Sequence, residues 1–458
     1  MFKTLANAWK IKDLRSKLLF TLLIILIYRI GTSVPVPFVS STDLSVGSQT
    51  LFGFFNTLSG GAFEQGSLFA LGVSPYITAS IVVQLLTVAI PALERLSKLG
   101  EEGKRKINII TRYITIGISI VTAIGYYLLL KNNGALTLFA SEEYWLFSAF
   151  VIITCYVAGS CLVMWLAEKI NDKGIGNGIS IILFANIVSR GAPLLLNFIS
   201  MFKTEYEGYT LYGFYKVAGN GHVIGSTIFT ILVLAAMLAM IWFVIFISES
   251  ERRIPVQYAK RVQGRKMYGG QNSNIPLKVN MAGVMPIIFA NAIITIPSTI
   301  AMFAKPQTGT FWAWLVDFCS STSWFYALMQ FILILAFAYF YVAISFNPTE
   351  VAGNIQKQGG AIPGIRPGKA TSGFIQKVLS KVTFIGALSL SIISVVPLIV
   401  HLIVNAMQDV NIAFQAFTAV QELAFAGTSV VIVVGVIIET VREIEAQMTM
   451  RNYKGFLG

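Results

Sequence analysis

Charge is the scarcest thing in this chain. Of 458 residues, 12% are Asp, Glu, Lys or Arg while 55% are hydrophobic, whereas soluble domains average about 25% charged. A surface so poor in charge excludes an ordinary water-soluble domain and argues for a bilayer. Cysteine and histidine are scarcer still, at three and two. Cys155 and Cys161 lie on one apolar run with diverging side chains, and Cys319 stands alone in a loop, which excludes a disulfide framework. His222 and His401 have no partner spacing for a metal. Alternating strand patterns are missing, which leaves helices as the membrane-crossing element. No nucleotide-binding glycine loop, nucleophile–base pair or metal constellation is visible, so neither an enzyme nor a cofactor is expected.

What is present is a series of apolar runs. Crossing a hydrocarbon core of ~30 Å takes about 20 apolar residues, and ten runs qualify, near 18–36, 74–93, 113–130, 145–167, 178–195, 223–247, 281–304, 324–346, 379–403 and 424–441. The expected fold is an all-α polytopic membrane protein with ten spans. Net charge is +13, and 28 of the 34 Lys and Arg fall on the side that carries both termini. The positive-inside rule places that side in the cytoplasm. Residues 1–17 read as a basic amphipathic helix on the cytoplasmic face. The external segment 34–71 holds no Lys or Arg.

Several runs suit lipid poorly. GVSPYITASIVVQLLT (72–87) opens on Gly72 and Pro75 and carries Ser74, Thr78, Ser80 and Gln84. Such a helix fits the wall of an aqueous path. Val73 and Ile77 share one face, and Ile179 and Leu183 repeat the spacing. The seventh run, 281–300, is interrupted by Pro286 and Pro297 and carries Asn291. These two irregular spans, second of the first five and second of the last five, suggest an inverted repeat with a path between halves. LFGFFNTLSGGAF (51–63), with Phe52, Phe54, Phe55, Gly60 and Gly61, is too short to cross and too apolar for a solvated loop. It reads as an interfacial re-entrant segment or as a stopper folded into the bundle. Residues 94–113 read as a solvated turn. Arg29, charged within the first span, reads as a snorkelling or internally paired side chain before a functional site. YAKRVQGRKMYGG (258–270), with Arg261, Arg265 and Lys266, suits a β-hairpin or a phosphate-contacting tip. The segment 346–370, with Arg366 between prolines and glycines, is longer than a charge anchor needs and reads as a docking surface.

In this order, FALGVSPYITASIVVQLLT (69–87), EEGKRKINIITRY (101–113), KGIGNGISIILFANI (173–187), YAKRVQGRK (258–266), NIPLKVNMAGVMP (274–286), FNPTE (346–350), PGIRPG (363–368) and AGTSVVIVVGVIIET (426–440) make the chain resemble the bacterial SecY family, the large subunit of the Sec protein-conducting channel. That resemblance implies two inverted five-helix halves, 18–195 and 223–441, closing around a central hourglass pore. The external loop 196–222 would join them and the tail 442–458 would be cytoplasmic. It implies a pore ring of Val73, Ile77, Ile179, Leu183, Ile288 and Ile432, a plug at about 51–66, and a lateral gate carrying Gln84 and Asn291. Docking loops at 248–280 and 347–378 would receive a ribosome with its nascent chain or the SecA motor ATPase. The implied partners are SecE-like and SecG-like small membrane subunits, signal sequences and membrane lipids, in the bacterial cytoplasmic membrane. The residues alone also allow a secondary transporter, which would need convergent polar groups at the midplane. The positions matching the ring offer aliphatics instead.

Overall fold

A computed structural model of the chain describes residues 2–40, 53–136, 144–203, 221–258, 261–263, 266–268, 272–301, 303, 314, 318, 323–408 and 418–454. It is mostly helical. In chain order come α1 (Phe2–Lys10), α2 (Lys12–Thr32), α3 (Gly53–Ser59), α4 (Ser74–Ala89), α5 (Pro91–Ser97), α6 (Glu101–Asn132), α7 (Trp145–Lys173), α8 (Gly178–Lys203) and α9 (Gly221–Glu249). Next are β1 (Glu251–Tyr258), β2 (Arg261–Gln263), β3 (Lys266–Tyr268) and β4 (Asn272–Lys278). Then follow α10 (Met285–Ile294), α11 (Ile296–Ala301), α12 (Trp324–Ser345), α13 (Pro348–Lys357), β5 (Gly360–Ala361), α14 (Lys369–Gln408) and α15 (Thr418–Lys454).

Among the described residues, four helical stretches are long and apolar enough to cross a membrane: Glu101–Asn132, Trp145–Lys173, Trp324–Lys357 and Lys369–Val400. The pair Ser74–Ala89 and Pro91–Ser97, bent by 105°, makes a fifth if it is one span. The bend has a local cause. Pro91 drives Ile90 into the extended region, at φ −107° and ψ 114°. The other expected runs coincide with helices that are shorter, broken or only partly described. Pro297 has no N–H for the Ile293 carbonyl, and the helix breaks at Thr295 between α10 and α11. The expected turn at 94–113 is mostly helical. Only 98–100 leaves the helix, because Glu101 and Glu102 open α6 favourably at its positive end, and Glu102 pairs with Lys106 at 3.1 Å.

The largest buried cluster joins both halves. It takes Val73, Ile77 and Ile81 from α4, Ile182 and Leu183 from α8, Ile287 and Ile288 from α10, and Val431 and Ile432 from α15. Outward faces stay apolar: Leu19, Leu22, Leu23 and Leu26 on α2, and Leu238, Trp242 and Phe246 on α9, are exposed. Between α9 and α10 the chain leaves the bundle to form an antiparallel sheet in the order β4-β1-β5, with β2 and β3 as a separate hairpin. Ile254, Val256 and Leu277 face one side of the sheet and pack on Ala352, Ile355 and Ile375. The hairpin reading of 258–270 thus agrees with the strands, while β5 comes from the following long loop. α1 packs across onto α15, where Ala8, Leu14, Ile175 and Ile444 form their own cluster.

Candidate functional site

The waist is built from four helices. Val73, Ile77, Leu183, Ile288 and Ile432 are between 0% and 6% exposed and belong to one apolar cluster, with half-buried Ile179 packed against it. A cavity of about 10 Å³ survives among Leu58, Ser74, Ile77, Ile288, Asn291, Ala292 and Ile432. That is at the lower limit for one water molecule. All six residues expected in a ring belong to this cluster or pack on it, and Ile77, Ile288 and Ile432 border the cavity.

Two of the four helices begin the same way. Gly72-Val73-Ser74-Pro75 opens α4 and Gly283-Val284-Met285-Pro286 opens α10. Gly72 and Gly283 have φ of 53° and 62°, a conformation that glycine adopts without a steric penalty. Val73 and Val284 cap their helices with nearly equal dihedrals, φ −88° and −91°. Pro75 and Pro286 fall within the first two helical positions, where a missing N–H costs nothing. The prolines therefore start these helices; neither interrupts one. Ile77 and Ile288 close the first turns by donating N–H to Val73 and Val284, at 3.0 and 3.3 Å. The Gly-Val-x-Pro repeat is the sequence signal of this internal symmetry, and the motif reading passed over it. Val284 is buried in the same cluster and sits directly against Gly435 of α15.

Against this waist lies α3. Phe52 lies outside the described residues, as does the side chain of Phe54. Phe55 stacks on Phe63 at 5.9 Å. Asn56 ties the segment into a loop, its Nδ2 donating to Glu64 Oε2 at 2.6 Å and its Oδ1 accepting from the Glu64 N–H at 3.3 Å. Gly60 and Gly61 turn the chain with φ of 67° and 92°. Beyond them, Tyr126 of α6 donates to the Phe63 carbonyl and Tyr156 of α7 to the Gly66 carbonyl, the latter at 3.1 Å. Neither tyrosine stood out in the sequence. Leu58 reaches the cavity itself.

A seam runs beside the waist. α4 packs on α10, and α6 on α11. Gln84 is half-buried two turns beyond Ile77. Asn291 is 2% exposed, and its Oδ1 accepts from Gln330 Nε2 at 3.2 Å, a nitrogen that also donates to Ser394 Oγ at 2.9 Å. Asn291 Nδ2 and Gln330 Oε1 have no hydrogen-bond partner among the described residues. Gln330 and Ser394 were not anticipated, because single polar residues in apolar runs carry no pattern.

The basic residues gather on the sheet. β5 pairs with β1 through Gln257–Ala361 and Tyr258–Gly360, which brings the loop of exposed Arg366 beside the β1–β4 ribbon. Arg261 lies on β2 and Lys266 on β3. Arg265 lies outside the described residues. Arg252 and Arg253 add exposed charge on β1. Nearby in sequence to the bent second helix, Arg112 of α6 donates from Nε to Glu168 Oε1 of α7 at 2.7 Å.

The fold is that of the protein-conducting channels. A solved protein-conducting channel superposes with TM-score 0.58 at 18% identity, covering 95% of this chain and 92% of that one. Canine Sec61 from a ribosome–channel complex does so with TM-score 0.56 at 17% identity, over the same shares. The sequence narrows the class: the family model SecY matches residues 67–441. The chain is 41% identical over 473 residues to the protein translocase subunit SecY of Streptomyces galbus and 39% identical over 461 residues to that of Bacillus subtilis, each pair covered completely. The chain belongs to the SecY family of protein translocase subunits, and its apolar helices are those of a multi-pass membrane protein.

Proposed function

We propose that the chain is a channel subunit that passes unfolded secretory polypeptides across the bacterial cytoplasmic membrane and releases hydrophobic segments into lipid. The observation that carries this reading is the waist. Six aliphatic side chains from the start of α4 and from α8, α10 and α15 share one apolar cluster, and three of them, Ile77, Ile288 and Ile432, line a cavity of about 10 Å³ that Leu58 of the short α3 also reaches. Branched aliphatics bond neither water nor ions, so a narrow ring of them is dry at rest and yields to a sliding chain. Such a ring is indifferent to sequence, as a path for many polypeptides must be. In this reading 51–66 is the plug, ten spans form two five-helix halves around an hourglass, and 196–222, whose described ends continue α8 to Lys203 and open α9 at Gly221, is the external hinge.

The seam between α4 and α6 on one side and α10 to α12 on the other is the lateral gate. A nascent segment rich in Leu-like residues prefers lipid by about 0.3 to 0.6 kcal/mol per residue, and a polar one does not. Sorting is thus partition through an opened seam. Asn291, Gln330 and Ser394 keep that seam from becoming a fully apolar interface, which leaves it openable. The exposed arginines on and beside the sheet suit an external driver, a SecA-type motor or a ribosome. The canine Sec61 neighbour was solved in a ribosome complex. Lys and Arg contacts to RNA phosphate make such binding fall steeply with salt. Both termini face the cytoplasm by the charge asymmetry, and SecE-like and SecG-like subunits complete the channel.

Photocrosslinking from position 77 to a stalled secretory chain in membranes tests the path. A crosslink that depends on the translocating chain is the expected result. Protection of position 77 by a small solute, with no polypeptide crosslink, would instead mark a transporter.

A further inference from the structure

Asn186 on α8 is fully buried. Its Nδ2 donates to the Leu58 carbonyl of α3 at 2.5 Å and to the Tyr28 hydroxyl of α2 at 2.8 Å. One amide thereby grips the tip of the plug segment from two fixed helices. The base of the segment is fastened independently, by Tyr126 and Tyr156. Gly60 and Gly61, at positive φ, lie between the two attachments. Beyond its own Asn56–Glu64 and Ser59–Phe63 bonds, a segment tied at its base, jointed at two glycines and held to the surrounding helices at Leu58 by one side chain has its release point at that side chain.

Two further atoms show where the grip goes next. Asn186 Oδ1 and Arg29 Nη1 are buried and have no hydrogen-bond partner among the described residues. One is an acceptor and the other a charged donor, and Gly60 is wedged between them. A Cβ at Gly60 would stand 2.9 Å from each and 3.2 Å from Asn186 Cα. The seated plug is therefore what keeps this acceptor and this donor apart. When Gly60 leaves, they are free to pair, and charge-assisted bonds are stronger than neutral ones. Loss of the Leu58 bond is offset by the new one.

We propose that Asn186 is the positioning residue of the plug, bonding the Leu58 carbonyl when the plug is seated and Arg29 when it is withdrawn. This rests on reading 51–66 as the plug. The exchange trades the Leu58 bond of the seated state for the Asn186–Arg29 bond of the withdrawn one, which brings the two states closer in free energy.

The test uses the complete channel complex in proteoliposomes, with Cys155, Cys161 and Cys319 replaced by serine and Leu58→Cys as a maleimide probe. Asn186→Ala should speed labelling about tenfold, equivalent to about 1.4 kcal/mol, and raise resting ion leak. Arg29→Met should slow labelling, because it removes the partner of the withdrawn state. A second probe, Ile152→Cys, sits in the cluster of Tyr126 and Tyr156 and should label at an unchanged rate in both variants. An unchanged rate at position 58 in Asn186→Ala overturns the proposal. So does acceleration by both variants, or an equal rise at position 152, since each means general loosening. Deletion of 53–59 tests the plug separately. If the resting leak stays unchanged there, the plug reading fails, while the opposite signs of the two labelling changes still decide whether Asn186 and Arg29 compete.

Discussion

Ile288 and Ile432 approach the same small cavity from α10 and α15 and offer no polar atom to water or an ion. Asparagine at either place brings an amide into a dry site and wets it. Ile288→Asn or Ile432→Asn should therefore raise resting ion flux in proteoliposomes and let weak signal sequences through. Ile432→Leu, which conserves volume, should leave both near normal. Unchanged flux in the asparagine variants would remove these residues from the seal. At this scale the sequence was partly legible. Val73 with Ile77, and Ile179 with Leu183, betray themselves by spacing, while Ile288 and Ile432 were placed by resemblance alone. Asn186, Tyr126 and Tyr156 were invisible. Asn186 and Leu58 lie 128 residues apart, and a solitary polar residue in an apolar run says nothing local about its partner.

Among elements, the plug and its return depend most on close approach. α7 crosses the segment after the plug at Gly159, where a Cβ would overlap the Leu68 carbonyl oxygen. A backbone oxygen has little room to move. Gly159→Ala should cost about 1–3 kcal/mol, as overpacking commonly does, and lower the melting temperature of the purified complex by several degrees. An unchanged melting curve would mean that α7 slides without cost. The sheet gives the second element-scale prediction. Arg366 is exposed in the loop that follows β5. Arg366→Glu should impair motor- or ribosome-driven translocation while circular dichroism and thermal unfolding stay unchanged. Normal translocation would remove Arg366 from the docking surface. The hairpin of β2 and β3 was foreshadowed by the residues at 258–270, but the sheet of β1, β4 and β5 was not. β5 has two residues and meets β1 about a hundred positions later, a pairing that local pattern does not encode. The helical start at Glu101 was missed because its charges read as solvation before they read as a favourable first turn.

For the whole molecule, the proposed path and lateral gate would require the two proposed halves to part. Ser74 of α4 and Asn291 of α10 line one cavity across that boundary. Cysteines at 74 and 291 joined by a short bifunctional thiol crosslinker should abolish both translocation and lateral release of a hydrophobic segment, and a long flexible crosslinker should restore them. Full activity with the short bridge would show that the halves need not separate there. The helical, multi-pass class was legible because composition is a global quantity that survives uncertainty about any one helix. Irregular helices are harder. α4 with α5, and α10 with α11, are broken by prolines whose neighbours decide whether a helix starts or stops. Pro75 and Pro286 start helices at the head of a run, while Pro91 and Pro297 break a run by starting its second helix.

The paired openings of α4 and α10 set the thickness of the barrier. From Val73 to Ile77, and again from Val284 to Ile288, the waist spans one turn, about 6 Å at 1.5 Å per residue. An extended chain advances about 3.3–3.6 Å per residue, so roughly two of its residues occupy the constriction at a time. A uniform apolar tube of ~30 Å would hold some nine residues at once and sum their desolvation. Here the resistance is an average over two neighbours, renewed at every step. The load on whatever pushes the chain would then be set by the two residues in the constriction and be nearly independent of how long the cargo is.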